Sequence, residues 1–225
     1  MRCRMSNKTI VISTLGLFVV IAAFVLFLNK EEKTEPTITT VNHPSIENQP
    51  TIGDEAAPVS VIEFGDYKCP SCKAWGEKIY PQLEKEYIKT GKITFSYMNV
   101  LFHGEESILA SLASESVYKH HPEAFWPFHN ALFAAQPTSQ NHDEQWVTVE
   151  SLLDIAQQSV PNIDIAQFKA DITEGETAAE VAIDMELVKE LDVQFTPTIV
   201  INGVMLEDPF DYDAIVTQIE KGLKK

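Results

Sequence analysis

Two cysteines, Cys69 and Cys72, stand two residues apart, directly after an apolar run at 59–64. The run predicts a buried strand, and the residues after Cys72 predict the opening of a helix. Pro70 suits the first helical turn, where its missing N–H is no loss. A cysteine at this turn lies beside unpaired helix N–H groups, which favour its thiolate. The pattern therefore predicts a redox-active pair that can close reversibly.

The spacing also assigns a role to each thiol. Cys69, at the exposed helix start, is expected to form the mixed disulfide with a substrate, and Cys72, further inside, to resolve it. A low pKa on Cys69 makes the disulfide an oxidant, because the reduced form is then stabilised. A structural disulfide or a coincidental pair is the alternative.

A zinc site is the other common use of this cysteine spacing. A structural zinc needs four ligands, and no second cysteine pair follows. The third cysteine, Cys3, is interpreted as an incidental free thiol. The histidines show no paired spacing with Cys69 and Cys72; they are His43, His103, His120, His121, His129 and His142.

Glu63 is a carboxyl inside an otherwise apolar strand, on the same face as Val61. Beneath the cysteine turn its pKa would be raised by desolvation, and it could pass a proton to or from Cys72 during exchange. The alternative is a strand-edge glutamate that faces water.

The N-terminal part predicts a membrane anchor. Residues 10–28 carry no charge and would span roughly 28 Å as a helix, close to the thickness of a bilayer's hydrocarbon core. Basic residues lie within the preceding cytoplasmic tip, 1–9, so the rest of the chain is expected outside the cytoplasm. A cleaved signal peptide is the competing interpretation. Residues 29–50, polar and rich in Thr, Glu, Asn and Pro, predict an extended linker.

The composition narrows the classes of partner. The formal net charge is −16, with 33 acidic against 17 basic residues. Such a surface repels nucleic acid and anionic lipid. Three cysteines in 225 residues are too few for a disulfide-stapled framework, so the pair points to exchange chemistry.

A single α/β domain is predicted over 51–223. Strands are expected at 59–64, 92–100 and 198–202, and Asn202-Gly203 predicts a two-residue hairpin. A helix at 70–89 should bend near Pro81, because proline removes a helical hydrogen bond. Residues 104–191 have helical periods and predict an insertion between the second and third strands. Its helices are expected at 105–119, 122–135, 148–159, 164–174 and 176–191, and a final helix at 211–223.

Two further features of the domain each allow two interpretations. A proline after Thr196, just before the third strand, either starts an edge strand or forms a cis turn. The aromatic residues Phe125, Trp126, Phe128 and Phe133 fall at helical spacing in the insertion. They are expected to be core, and the alternative is that they line a peptide groove.

Three segments together resemble a known family. They are residues 61–72, which end in Cys-Pro-Ser-Cys, the long helical insertion, and residues 195–203 around Thr196-Pro197. The chain resembles the thioredoxin fold as used by DsbA-type oxidoreductases and, with its anchor-like start, the BdbD branch of Gram-positive bacteria. The resemblance covers about 51–223. It implies that Thr196-Pro197 is a cis bond beside the disulfide, that the backbone of Thr196 pairs with a substrate chain, and that Glu63 is the family's buried acid.

The resemblance also has two consequences that concern single positions. DsbA enzymes commonly have histidine where Ser71 stands, and that residue tunes the thiolate, so the resemblance does not set the oxidising strength. Close relatives can hold a structural calcium ion, and the matching oxygen donors here are Gln49, Glu115 and Asp184. No cofactor is expected for the redox chemistry itself.

The leading hypothesis is an extracytoplasmic oxidoreductase that donates the Cys69–Cys72 disulfide to newly exported proteins. A DsbB-like membrane quinone reductase is expected to reoxidise it, and the molecule is expected to be a monomer. One alternative is a reductase of the same fold, as in cytochrome maturation. The other is a binding module or chaperone whose cysteines form a static disulfide.

Overall fold

The computed structural model describes residues 38–137 and 144–224. Within these ranges, six strands form one mixed sheet in the order β1-β6-β5-β3-β4-β2. The central strand β3 pairs in parallel with β4 and antiparallel with β5. The strands are β1 Ile38–Thr40, β2 Thr51–Gly53, β3 Val59–Gly65, β4 Ile93–Asn99, β5 Thr198–Ile201 and β6 Val204–Leu206.

The helices follow the predicted order. They are α1 Pro70–Lys78, α2 Tyr80–Leu83, α3 Glu105–His120, α4 Phe125–Ala134, α5 Val149–Ser159, α6 Ile165–Ala170, α7 Ala178–Glu190 and α8 Tyr212–Leu223. A 3-10 turn, Pro122–Ala124, precedes α4, and π-helical turns follow α2 and α6 at Glu84–Ile88 and Asp171–Gly175. The helices α3 to α7 lie between β4 and β5, which confirms a thioredoxin-like α/β fold with a helical insertion.

Local chemistry explains two of these boundaries. The predicted helix at 70–89 is broken at Ile79, because Pro81 stands in the first turn of α2 and cannot donate to the preceding turn. At the predicted hairpin, Asn202 and Gly203 have φ of 47° and 77°, the left-handed values that a two-residue turn between twisted strands requires. β5 and β6 therefore pair directly across it.

The prediction of a linker over 29–50 is wrong for its C-terminal part. β1 pairs antiparallel with β6 at the sheet edge, and Gln49 is buried. A strand as short and polar as β1 has no alternation of apolar and polar residues, so its conformation depends on the strand with which it pairs.

The cytoplasmic tip, the anchor at 10–28, Cys3 and the first part of the linker lie outside the described residues. No helix among those that the structure describes is long and apolar enough to cross a membrane.

Side chains of β3 alternate between two cores, and this alternation orients the site. Val59 and Val61 pack in a cluster with Trp75 of α1, whereas Ile62 and Phe64 pack on the opposite face with Val188 of α7. By the same period of two, Glu63 lies on the face that α1 covers. A third core fills the helical insertion.

Candidate active site

The cysteine pair stands at the junction of β3 and α1. Cys69 is the N-cap of α1, with φ −76° and ψ 119°, and Pro70 is in its first turn. A tight turn joins the two elements, because the Cys69 N–H donates to the carbonyl of Asp66 at 2.9 Å. The strand-to-helix placement predicted for the pair is the one observed.

The pKa values of the two thiols are shifted in opposite directions. A hydrogen bond from Cys72 contributes most to lowering the pKa of Cys69 from 9.0 to about 5; burial opposes it, and Thr196 and the N–H groups at the helix start assist. Burial raises the pKa of Cys72 well above its ordinary value, and its contacts with Cys69 raise it further. Cys69 is therefore a thiolate at neutral pH, while Cys72 holds its proton.

The exposed fractions of Cys69 and Cys72 differ less than expected. Cys69 is 6% exposed and Cys72 is 1% exposed, so Cys69 is less open than its predicted position at an exposed helix start. Pro70 and Ser71 between them are exposed. Both cysteines are free thiols in this structure. A substrate sulfur thus reaches Cys69 through a small opening, and Cys72 only after Cys69.

Glu63 lies beneath the pair and is 3% exposed, which excludes the water-facing alternative. Burial, and then the charge of Cys69, raises its pKa well above the ordinary value. Its Oε1 has no hydrogen-bond partner, although the atom is fully buried. A cavity of about 130 Å³ is lined by Glu63, Cys72, Trp75 and Gly76, among others. The carboxyl and the inner thiol therefore share one small space in which a proton can move.

The second segment of the site is the turn before β5. The Thr196–Pro197 peptide bond is cis, as the resemblance implies. Cys69 Sγ lies 3.4 Å from the Thr196 carbonyl oxygen, to which it can donate only while it is protonated. Pro197 is buried and Thr196 half-buried. Residues more than a hundred positions apart thus form one surface around the reactive sulfur.

Asp66 belongs to the site and was not singled out from the sequence. It is fully buried, and its carboxylate accepts hydrogen bonds from the backbone N–H of Lys68 and Phe102, from His103 and from Ser107, at 2.8 to 3.0 Å. Its own N–H lies 3.4 Å from Cys72 Sγ. A local signal was available, an aspartate in the turn before a helix, a residue that often bonds the backbone two residues on.

The predicted calcium donors come together around Asn99, which the sequence did not reveal. Gln49 donates to Asp184 Oδ1 at 2.7 Å, and the Asn99 amide donates to Glu115 and Asp184 at 2.8 Å each. Burial, and then neighbouring carboxylates, raises the pKa of Glu115 to about 8, and burial raises that of Asp184 to about 6. These buried acids fit a cation with oxygen ligands. No group of three or more His, Cys, Asp or Glu within the described ranges could hold a metal, so amide oxygens would have to complete the shell.

The aromatic residues of the insertion belong to its core. Phe125 and Phe128 are buried, and Trp126 and Phe133 pack against the same cluster. Phe133 also lines the cavity beside Glu63. The expectation of a core role therefore agrees with their packing.

Known proteins match this chain over nearly the whole of the described domain. Residues 45–221 match the family model described as thioredoxin. Disulfide bond formation protein D of Bacillus subtilis is 42% identical over 196 residues, which are 87% of this chain and 86% of that protein. A probable disulfide bond formation protein D of Bacillus anthracis is 38% identical over 79% of each chain.

A solved structure agrees with these sequence matches. The crystal structure of oxidised BdbD from B. subtilis has a TM-score of 0.79 to this chain at 42% identity, covering 83% of this chain and 99% of that one. The family-model match over 45–221 takes in the cysteine turn, the insertion and the cis-proline turn. The chain therefore belongs to the thioredoxin family and, within it, to the group of disulfide bond formation protein D.

Proposed function

We propose that this protein is a thiol–disulfide oxidoreductase that introduces disulfide bonds into exported proteins through Cys69 and Cys72. The observation that carries the proposal is the contrast between the two thiols, with the pKa of Cys69 at about 5 and that of Cys72 raised. A stable thiolate on Cys69 favours the reduced form of the pair, and a pair whose reduced form is favoured is an oxidant.

The first half of the reaction forms a mixed disulfide. A substrate thiolate attacks Cys69 Sγ, a bond forms between these sulfurs, and the Cys69–Cys72 bond breaks with its electron pair on Cys72. Cys72 then takes a proton, since its pKa is high. Glu63 is placed to supply that proton because its raised pKa favours the protonated carboxyl and it lines the same cavity.

The second half releases the product. A second substrate thiolate attacks the substrate sulfur of the mixed disulfide, and Cys69 leaves as a thiolate, which is favourable because of its low pKa. The substrate has lost two electrons to the enzyme pair. During reoxidation the Cys72 thiol must lose its proton, and Glu63 then serves as the acceptor.

The cis-proline turn is proposed to hold the substrate chain. Thr196 lies against Cys69, so an extended peptide paired with its backbone would present a cysteine to Cys69 Sγ. Exposed Ser71 borders the same opening. Neither residue takes part in electron transfer; both act on the approach of the substrate.

A redox titration against glutathione tests the direction of electron flow. An oxidase requires a reduction potential well above thioredoxin's, which is about −270 mV. A value near thioredoxin's would instead establish the reductase alternative. The Cys69 pKa, measured in the same samples, must lie near 5 if the structure is the cause of the potential.

A trapping experiment separates exchange from a static disulfide. A Cys72→Ala variant cannot resolve a mixed disulfide, so it should accumulate substrate adducts through Cys69 that reductant releases. A Cys69→Ala variant is the matched control and should accumulate far fewer, because Cys72 is 1% exposed. Equal adducts in both variants would contradict the assigned roles.

We further propose that the domain works outside the cytoplasm, held to the membrane by residues 10–28. A DsbB-like quinone reductase would reoxidise the pair from the same membrane, and a monomer is sufficient because both cysteines and Thr196 come from one chain. Protease added to intact cells without their wall should remove the domain, while the segment at 1–9 stays protected. Loss of reoxidation on quinone depletion tests the partner.

A structural calcium ion is proposed at Gln49, Glu115 and Asp184. When bound, the ion would neutralise the two buried carboxylates, of which Asp184 raises the pKa of Glu115. Its oxygen shell would join the end of β4, through Asn99, to α3 and α7. The ion would therefore act on stability and not on the redox step.

A further inference from the structure

His103 is fixed beside the cysteine turn by a residue that also contacts both cysteines. Its Nδ1 donates to Asp66 Oδ2 at 2.8 Å. The carbonyl of the same aspartate accepts from the Cys69 N–H at 2.9 Å, and its N–H lies 3.4 Å from Cys72 Sγ. The backbone N–H of His103 donates to Ser107 Oγ at 3.1 Å, and Ser107 in turn donates to Asp66. Asp66 therefore holds the imidazole, and Ser107 holds the backbone of the same residue, beside the turn that carries the reactive sulfur.

The other cationic groups near this turn are engaged elsewhere. Lys68 directs its ammonium to Glu106 and to the Glu144 carbonyl. Lys73, on α1, donates to the carbonyl of Gln136 at 2.8 Å. Between the cysteines, Pro70 and Ser71 carry no charge. His103 thus differs from both lysines, because its ring is linked to the turn itself.

We propose that His103 is a positioning residue for the disulfide exchange, and that its imidazolium stabilises the Cys69 thiolate through its anchor on Asp66. The inference concerns the site of the proposed function and rests on it. His103 donates no proton to the substrate and accepts none. Its raised pKa favours the imidazolium while Cys69 changes between the disulfide and the thiolate.

The electron and proton balance is unchanged by this role. The substrate dithiol gives up two electrons and two protons, and the enzyme pair takes both electrons. Cys72 keeps one proton as a thiol, the second is released to solvent, and Cys69 remains a thiolate. The imidazolium compensates the negative charge that this last step leaves at Cys69.

The charges around the ring agree with this assignment. The hydrogen bond to Asp66 raises the pKa of His103 above 6.5; burial opposes it, the charges of Asp66 and Cys69 add to the rise, and Lys68 counteracts it. Cys69 titrates near 5, so the ring is protonated where the thiolate forms. The side chain is 31% exposed and water screens it, so an effect of about half a unit, or threefold, is expected.

Titration of the histidine ring by NMR tests the coupling without any substrate. Coupling is reciprocal, so the pKa of His103 should be higher in the reduced protein than in the oxidised protein by the same half unit. A His103→Gln variant identifies the signal, and His43, remote in sequence, is the internal control. An equal pKa of His103 in both redox states would overturn the inference. Because no substrate is present, this result is independent of the direction of electron flow.

Two variants separate charge from packing. His103→Gln should raise the pKa of Cys69, so that the acid dissociation constant of this thiol falls about threefold. The absorbance of the thiolate measures this change. The reduction equilibrium should shift by a similar factor, which is about 15 mV for a two-electron couple. His103→Lys keeps the charge and should keep the low pKa. If Gln and Lys change the Cys69 pKa alike, or if neither changes it, the ring has only a structural role and the inference is wrong.

Discussion

The Cys69 thiolate gives the reduced protein a stability that depends on pH, and its size follows from the structure. The pKa of Cys69 is about 5 in the folded chain against an ordinary value of 9.0. A group whose pKa is lowered by folding stabilises the folded state above its unfolded pKa, and this stability is lost as pH falls through the folded pKa. Two pH units separate 7 from 5, and each corresponds to about 1.4 kcal/mol. The contribution at pH 7 is therefore about 3 kcal/mol.

The oxidised protein provides the reference because it has no thiolate. Urea unfolding of the reduced and oxidised forms, at pH 7 and at pH 4, gives four free energies of unfolding. The difference between reduced and oxidised forms should decrease by about 3 kcal/mol from pH 7 to pH 4, steeply down to pH 5 and little below it. Most other titrating groups are common to both forms and cancel in the difference.

Two results would refute this reasoning. A difference that stays constant between pH 4 and pH 7 means that Cys69 is not a thiolate in the folded protein. A difference that levels off well above pH 5 means that the helix start and Cys72 lower the pKa of Cys69 less than the structure indicates. A Cys69→Ser variant should follow the pH dependence of the oxidised form, and repeating the series in a Glu63→Gln variant removes a buried acid whose pKa the charge of Cys69 raises.

Three further predictions concern other parts of the domain. Glu63→Gln should slow disulfide transfer at neutral pH by about 100-fold, since proton transfer by a positioned acid contributes at least that much, and stopped-flow fluorescence would measure it. Calcium should raise the melting temperature of the wild type but not of Asp184→Asn, measured by calorimetry with a chelator as blank. Gly65→Ala should cost about 1–3 kcal/mol in urea unfolding, because the new Cβ would lie 2.5 Å from the Tyr97 ring. Its control, Gly76→Ala, meets nothing within 4 Å on a helix and should gain about 0.5–1 kcal/mol. A rate unchanged by the Glu63 variant, a calcium response in Asp184→Asn, or equal effects of the two alanines would each contradict the corresponding argument.

The elements that carry the cysteine pair were predictable because their signals are local. The strand at 59–64 and the helix start at Pro70 depend on residues that are adjacent in the chain. Asn202-Gly203 specifies its own turn, since few residue types tolerate left-handed φ at two successive positions. Pro81 likewise interrupts a helix whatever surrounds it.

The edge strands could not be predicted in the same way. β1 and β2 have three residues each, and both pair with strands that are distant in sequence. Their conformation depends on the exposed edges of β6 and β4, not on a pattern of their own. A polar segment that would be a linker in isolation therefore becomes part of the sheet.

Contacts between distant residues explain what was missed in the site. Asp66 and His103 are 37 residues apart, and Asn99 and Asp184 are 85 apart. One general signal existed, since β3 and β4 are parallel and the residues that follow them must meet at one edge of the sheet. Asp66 and His103 both follow those strand ends. Applying that rule to the predicted strands would have placed them together.

The buried carboxylate of Asp66 has a consequence for the rate of encounter. Its four bonding partners keep the turn from 66 to 69 in a single conformation, so the conformational entropy of this turn is lost once, during folding. A substrate that arrives at Cys69 meets a surface that is already arranged, and ordering it costs no binding free energy. A catalyst whose Cys-containing substrates are flexible gains most from such rigidity, because the substrate then brings the flexibility that the encounter requires.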